Sequence, residues 1–175
     1  MYKGIMICGL NGCGKTTTGR LVAERLGIFR MDVEDYYFLS SEVPFSVGRT
    51  KDEVRQLMWA DIQKHKNFVL SSVGCDWGDE IEGSLALAVF LTAPKEVRLG
   101  RIDQREILRF GERVQAGGDM HEQQKRFREF AAGRTEEPYR KQMQRLACPV
   151  LELDAMQPLE MIVEKICQAY IELTH

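Results

Sequence analysis

Residues Gly9–Thr16 read GLNGCGKT and match the pattern G-x-x-x-x-G-K-[ST] at every fixed position. That pattern folds into a nest of backbone N–H groups for a phosphate chain. Gly9, Gly12 and Gly14 let the backbone turn tightly and approach phosphate oxygens without a Cβ in the way. The helix expected from Lys15 adds free N–H groups and a positive dipole end. Lys15 is therefore expected at the β- and γ-phosphates and the Thr16 hydroxyl on Mg²⁺, with Asn11, Cys13 and Thr17 completing the nucleotide-contacting stretch. Cys13 lies two residues from Lys15 beside that helix start, which predicts a thiolate-prone, reactive cysteine that nucleotide would protect. The motif decides that a nucleotide binds. It leaves open whether the nucleotide phosphorylates a second molecule, switches a conformation or drives movement.

Many phosphate-loop enzymes hold Mg²⁺ with an acid that ends a later apolar strand. Here FVLSSVGCDW and AVFLTAP lack one at the strand end, Asp76 coming three residues after Val73. The acids cluster instead in MDVEDYY, as Asp32, Glu34 and Asp35. Alternation in an extended segment puts Asp32 and Glu34 on one face. Asp32 is the expected metal-side acid and Asp76 its competitor.

A third group is cationic. Arg98, Arg101, Arg105, Arg109 and Arg113 recur at three- and four-residue spacing and would share a broad helix face, diluted by Asp103, Glu106 and Glu112. Arginine suits phosphate because its planar fork binds it bidentately and stays charged. Gly111 and Gly117–Gly118 follow as possible hinges. Between the acids and the next helix, YYFLSSEVPFSVGRT offers Tyr36, Tyr37, Phe38, Phe45 and Arg49, aromatic walls with one cation, suited to a ring-bearing or anionic acceptor or to ordinary core packing.

These groups need a frame. GIMICG, IFRMDV, NFVLSSV, LALAVFLTA and PVLELD read as short buried strands. KTTTGRLVAERLG reads as a helix stopped by Gly27. RTKDEVRQLMWADIQKHK reads as a helix with a Thr50/Glu53 capping box and a stripe of Val54, Leu57, Met58 and Ile62. PKEVRLGRIDQREILRF and PLEMIVEKICQAYIEL complete the helical segments, the latter with Leu159, Ile162, Val163, Ile166 and Tyr170 on one side. Strands alternating with helices predict an α/β, three-layer α/β/α fold on a five-stranded parallel sheet, with the ligand at the strands' carboxyl ends.

The 175 residues, 44% of them hydrophobic, fit a single domain. A net charge of -2 points away from nucleic acid. The five cysteines form no C-x-x-C pair, and the three histidines show no metal spacing. The apolar run at the N-terminus is too short for a membrane span, and no targeting segment is visible, so no membrane partner and a reducing cytoplasm are expected. The oligomeric state is left open.

The N-terminal phosphate loop, the acidic segment after the second strand and the arginine-rich segment after the fourth resemble the P-loop small-molecule kinases of the adenylate kinase and shikimate kinase superfamily. The resemblance implies a P-loop NTPase fold with a helical lid, here about residues 101–134. It implies ATP and Mg²⁺ as cofactors, and transfer of the γ-phosphate to a small-molecule acceptor. It implies Asp32 on the metal side and as possible base, Glu34 or Asp35 on the acceptor, and a backbone contact from Gly74 to the transferred phosphate. Arg49 would face the acceptor. One arginine, Arg101, would lie against adenine, with Arg105 and Arg109 closing over the phosphates. The segment ELDAMQP, after the last strand, matches the place where such kinases hold adenine. SVGCDWGD lacks the glycine pair of shikimate kinases and the D-G-[FY]-P-R run of adenylate kinases, so neither shikimate nor AMP is the expected acceptor. The alternative is an ATPase acting as a regulatory or switch module; the N-K-x-D motif of a guanine-nucleotide switch is missing.

Overall fold

The computed structural model describes residues 1–174. Five strands, β1 (Lys3–Gly9), β2 (Phe29–Asp32), β3 (Asn67–Ser71), β4 (Leu85–Thr92) and β5 (Val150–Asp154), form one sheet in the order β2-β3-β1-β4-β5. All neighbouring pairs are parallel. The chain leaves the central β1 toward β2 and β3, then crosses to β4 and β5. The order therefore reverses at β1, and the crevice at its carboxyl end is where such sheets bind ligands.

β1 shows why its residues are apolar without alternation. Ile5 and Ile7 face one core, with Val22 and Ala23 of α1 (Lys15–Leu26) and Ile162, Val163 and Ile166 of α8 (Leu159–Thr174). Met6 and Cys8 face the other, with Val54, Met58 and Ile62 of α3 (Lys51–His65). Both sheet faces are covered, so every position from Gly4 to Gly9 is buried. The capping box of Thr50 and Glu53 is formed as the sequence predicts. Leu57 is 42% exposed, because Val54, Met58 and Ile62 at four-residue spacing make a narrower seam than the full stripe.

The strand β2 stops at Asp32, and a five-residue helix α2 (Val33–Tyr37) follows at once. A short α4 (Asp79–Glu82) precedes β4. After β4 come α5 (Lys95–Phe110), a 3-10 turn (Gly111–Val114), α6 (His121–Gly133) and α7 (Glu137–Met143). Leu99 and Ile102 of α5 pack with Ala131 and Phe127 of α6 in a third, small core. No helix among the described residues is long and apolar enough to cross a membrane.

Candidate active site

The phosphate loop is set by close backbone approaches. Gly12 sits at φ +88, and a Cβ there would lie 2.4 Å from the Arg98 carbonyl oxygen, so only glycine fits between the loop and α5. Arg98 is itself buried and donates from its guanidinium to the Asn11 carbonyl at 3.1 Å. Arg101 donates to the carbonyls of Gly12 at 3.4 Å and Ala155 at 3.1 Å, tying the loop to the turn after β5. The first two arginines of the stripe thus hold backbone carbonyls at the loop.

Lys15 donates its Nζ to the Leu10 carbonyl at 3.1 Å, folding back along the loop. Burial lowers its pKa, against the pull of Cys13, Glu34 and Asp32. The Thr16 hydroxyl donates to Asp32 Oδ2 at 2.6 Å. This contact joins the first turn of α1 to the end of β2, because Asp32 pairs with Ser71 across the sheet while α1 packs on the same edge. Asp32 also caps α2, its Oδ1 accepting from the Glu34 N–H at 3.1 Å.

That cap corrects the expected geometry of the acids. The extended alternation ends at Asp32, and Glu34 and Asp35 are successive residues of a helix, about 100° apart. Glu34 joins Asp32 on the wall of a cavity of about 570 Å³ above the phosphate loop. Asp35 turns away and pairs with Arg30 at 2.8 Å. Asp76, the competing metal-side acid, pairs with Lys51 at 3.1 Å at the surface. Glu34 is held above the usual carboxylate range, first by burial and then by Asp32, with Arg105, Lys15 and Arg109 pulling the other way.

The same cavity is walled by Gly12, Cys13, Gly14, Lys15, Thr16 and Thr17 of the loop and helix start. Arg101, Arg105 and Arg109 of α5 line one side, and Ala155, Gln157 and Leu159, from the ELDAMQP turn and the start of α8, line its far end. Arg105 and Arg109 both approach Glu106, at 2.7 and 3.9 Å, so the stripe surrounds a buried acid. Arg113 lies beyond the end of α5 and pairs with Asp119, so the stripe breaks there.

Three expectations fall elsewhere. Gly74 lies under α7, where a Cβ would meet Gln142 Oε1 at 2.5 Å and the Tyr139 ring at 2.9 Å; Ser71, Ser72 and Val73 take its place on the cavity wall. Arg49 donates to the Tyr36 carbonyl at 2.8 Å and braces the loop of residues 38–49 from within. Cys13 is 2% exposed and its thiol pKa is raised, because burial outweighs the attraction of Lys15 and Arg98. The sulfur packs under the loop.

Sequence reasoning missed Arg134 and the pair Gln123 and Gln124. Arg134 follows α6, stacks on Phe130 with 4.1 Å from its guanidinium carbon to the ring centre, and donates to Asn11 Oδ1 at 2.9 Å. It lies outside the three- and four-residue repeat, so spacing gave no signal. Gln123 and Gln124 line a second cavity of about 240 Å³ with Phe38, Phe45 and Phe127; Glu34 and Arg105 border both cavities.

The donor set suits Mg²⁺. A hydroxyl and a carboxylate 2.6 Å apart are hard oxygen ligands, and no cluster of three or more acids, cysteines or histidines stands ready for a metal among the described residues. A phosphate-bound Mg²⁺ uses few protein ligands and keeps its waters and phosphate oxygens.

A family profile described as an AAA domain matches residues 5–116. The chain is 36% identical over 162 residues, 88% of this chain and 89% of the relative, to a Bacillus subtilis (strain 168) protein carrying the name "Uncharacterized protein YqaC". Among solved structures, a gluconokinase from Sinorhizobium meliloti 1021 aligns with 98% of this chain and 93% of its own, at TM-score 0.56 and 16% identity. A sugar kinase from Janibacter sp. HTCC2649 aligns over 99% and 96% of the two chains at TM-score 0.56 and 16% identity. Shikimate kinase from Aquifex aeolicus vf5 aligns over 97% and 96% at TM-score 0.57 and 18% identity. The fold is that of P-loop small-molecule kinases.

Proposed function

The chain belongs to the AAA-domain family, and from that premise we propose that it transfers the γ-phosphate of ATP to a small-molecule acceptor. The observation that carries the reading is the hydrogen bond between Thr16 and Asp32, beside Glu34, where a nucleotide-sized cavity meets a smaller one. A machine that only hydrolysed or sensed ATP has no need of a second cavity sharing a carboxylate with the first.

In this reading the loop N–H groups and Lys15 hold the phosphates. Thr16 and Asp32 hold Mg²⁺, which when bound neutralises charge on the β- and γ-oxygens. Arg105 and Arg109 meet the charge that grows on the transferred group. Glu34, at the mouth shared by the two cavities, accepts the acceptor's hydroxyl proton; its raised pKa suits a base closer to neutral pH. Ala155 and Gln157 border the adenine end. Protein contacts position the reactants, which is most of what phosphoryl transfer needs.

The test is Lys15→Ala with wild-type as reference. Turnover of Mg-ATP in the presence of acceptor is expected to fall at least 100-fold while circular dichroism stays unchanged. Near-wild-type turnover in the folded variant would return the chain to the regulatory alternative. Asp32→Asn is expected to lower Mg²⁺-dependent turnover by more than it weakens ATP binding. A larger defect from Asp76→Asn would move the metal to Asp76.

A further inference from the structure

We infer that the acceptor is an uncharged, flat heterocycle carrying a hydroxylated arm, of the nucleoside type, held by ring faces and by the amides of Gln123 and Gln124. The inference rests on the phosphotransfer reading for the role of Glu34 and adds the chemistry of the second cavity.

Three observations carry it. The first is an unpaired amide edge. Gln123 donates from Nε2 to the Pro44 carbonyl at 3.0 Å. A carbonyl only accepts, so this bond fixes which end of the amide faces away, and Gln123 Oε1 is buried with no hydrogen-bond partner among the described residues. Gln124 Nε2 is buried and unpartnered as well. Both side chains line the 240 Å³ cavity. An acceptor oxygen on one residue and an amide on the next match a ring edge that carries an N–H beside a carbonyl or ring nitrogen. Buried polar atoms are ordinarily paired, so two covered, unpaired ones on side chains that line one cavity point to a ligand toward which those amides turn.

The second is the ring frame. Phe38, Phe45 and Phe127 line the same cavity, and Phe38 and Phe45 meet edge to face at 5.1 Å. Phe45 has φ +62, a left-handed backbone that a bulky residue adopts only when its surroundings hold it there. The Pro44 carbonyl held by Gln123 and the Phe110 ring 6.3 Å away do so. Strain of this kind gathers at ligand clamps. Ring faces suit a flat apolar acceptor and offer nothing to the many hydroxyls of a polyol.

The third is charge. Glu34 and Glu106 line the cavity against Arg105 alone, and Arg105 is paired with Glu106 at 2.7 Å. In the phosphotransfer reading the terminal nitrogens of Arg105 serve the transferred group, so the ring end of the cavity has no cation of its own for a phosphate or carboxylate, which favours an uncharged ring over one such as a nucleoside monophosphate. The volume lies below the ~300–1,000 Å³ of drug-sized sites, which leaves room for one ring system and a short arm. That arm reaches Glu34, the residue common to both cavities.

The experiment is isothermal titration of the wild-type protein with thymidine, cytidine, adenosine and guanosine. D-Glucitol, gluconate and shikimate serve as comparators, all with Mg²⁺ and a non-hydrolysable ATP analogue present. At least one nucleoside is expected to bind ten-fold more tightly than every comparator. Gln123→Leu and Gln124→Leu are each expected to weaken that nucleoside ten-fold or more, and Gln123→Glu to weaken it as well, with melting curves confirming the fold of each variant. Tighter binding of a comparator, no binding by any nucleoside, or nucleoside binding indifferent to both leucine variants overturns the inference. Failure of the wild-type protein to bind the ATP analogue overturns the phosphotransfer reading instead, so the two failures are distinguishable.

Discussion

Glu34 carries opposite demands at the scale of one residue. Burial and the neighbouring Asp32 raise its pKa, so the folded chain holds this proton more tightly than the unfolded chain does. Its contribution to stability is therefore greatest at pH below its unfolded value and is lost as pH rises through its folded value. Above that folded value the ionised carboxylate is a cost to the fold. Glu34→Gln is expected to melt above wild type once pH exceeds that folded value, an advantage absent at pH below the ordinary glutamate value. The same variant is expected to lower kcat by about 100-fold or more, as loss of a general base does. If the phosphotransfer reading holds, the acid limb of the wild-type kcat profile should lie above the ordinary glutamate range. A destabilised Glu34→Gln protein with normal kcat would leave the residue a structural one. Cys13 makes the opposite point. Next to Lys15 it reads as an activated thiol, but burial raises its pKa, so limiting alkylation should label the half-buried Cys148 before Cys13.

At the scale of elements, the capping box of α3 is the contact most cleanly isolated from the site. Thr50 accepts from the Glu53 N–H at 3.3 Å, and Glu53 accepts from the Thr50 N–H at 2.8 Å. Thr50→Ala is expected to cost about 1 kcal/mol, read as a melting temperature lower by roughly 2–4 °C, with turnover unchanged. This box was legible in the sequence because both partners lie within four residues. The inner strands β1, β3 and β4 were legible for a related reason, since strands buried on both faces are apolar runs bounded by turns, whereas the edge strand β5 shows only Leu153 buried and was read from its short apolar run. Helix α2 was not, because its start depends on Asp32 serving as a cap, and the same residue reads equally well as the end of a strand. The residue pattern assigns neither α6 nor α7; the resemblance alone implies a helical lid over about residues 101–134, which takes in α6. Of α6 only Ala131 is fully buried, so HEQQKRFREFAAG carries almost no apolar stripe, and its packing on Leu99 and Ile102 is a tertiary fact. Within the site, the loop residues and Asp32 follow local pattern. The burial of Glu106, the reach of Arg134 to Asn11 across 123 positions and the turn of Gly74 under α7 depend on how distant elements meet.

The whole molecule sets the two cavities between three parts: the carboxyl end of the sheet, the loop of residues 38–49 and the α5–α6 segment. Loop and segment already touch. Arg113 donates to the Glu42 carbonyl at 3.4 Å, Gln123 to the Pro44 carbonyl at 3.0 Å, and the rings of Phe45 and Phe110 meet at 6.3 Å. These contacts are few and partly exposed, whereas the sheet beneath is covered on both faces, so local opening should be concentrated here. Gly111, between α5 and the 3-10 turn, sits at φ +55 with open space around its Cα, so a side chain there meets no clash and only backbone strain. Closing this assembly over both ligands would keep water from the γ-phosphate. Limited proteolysis is expected to cut first within residues 38–49 and 111–120. ATP analogue with Mg²⁺ should slow those cuts, and acceptor added with it should slow them at least several-fold further. Gly111→Ala is expected to weaken that protection while leaving the melting of the sheet core within about 4 °C of wild type, because the strain of roughly 1–3 kcal/mol falls on the segment that moves. Equal protection of wild type and Gly111→Ala, or first cuts outside these two stretches, would show that the site is held rigidly and that closure has no part in turnover.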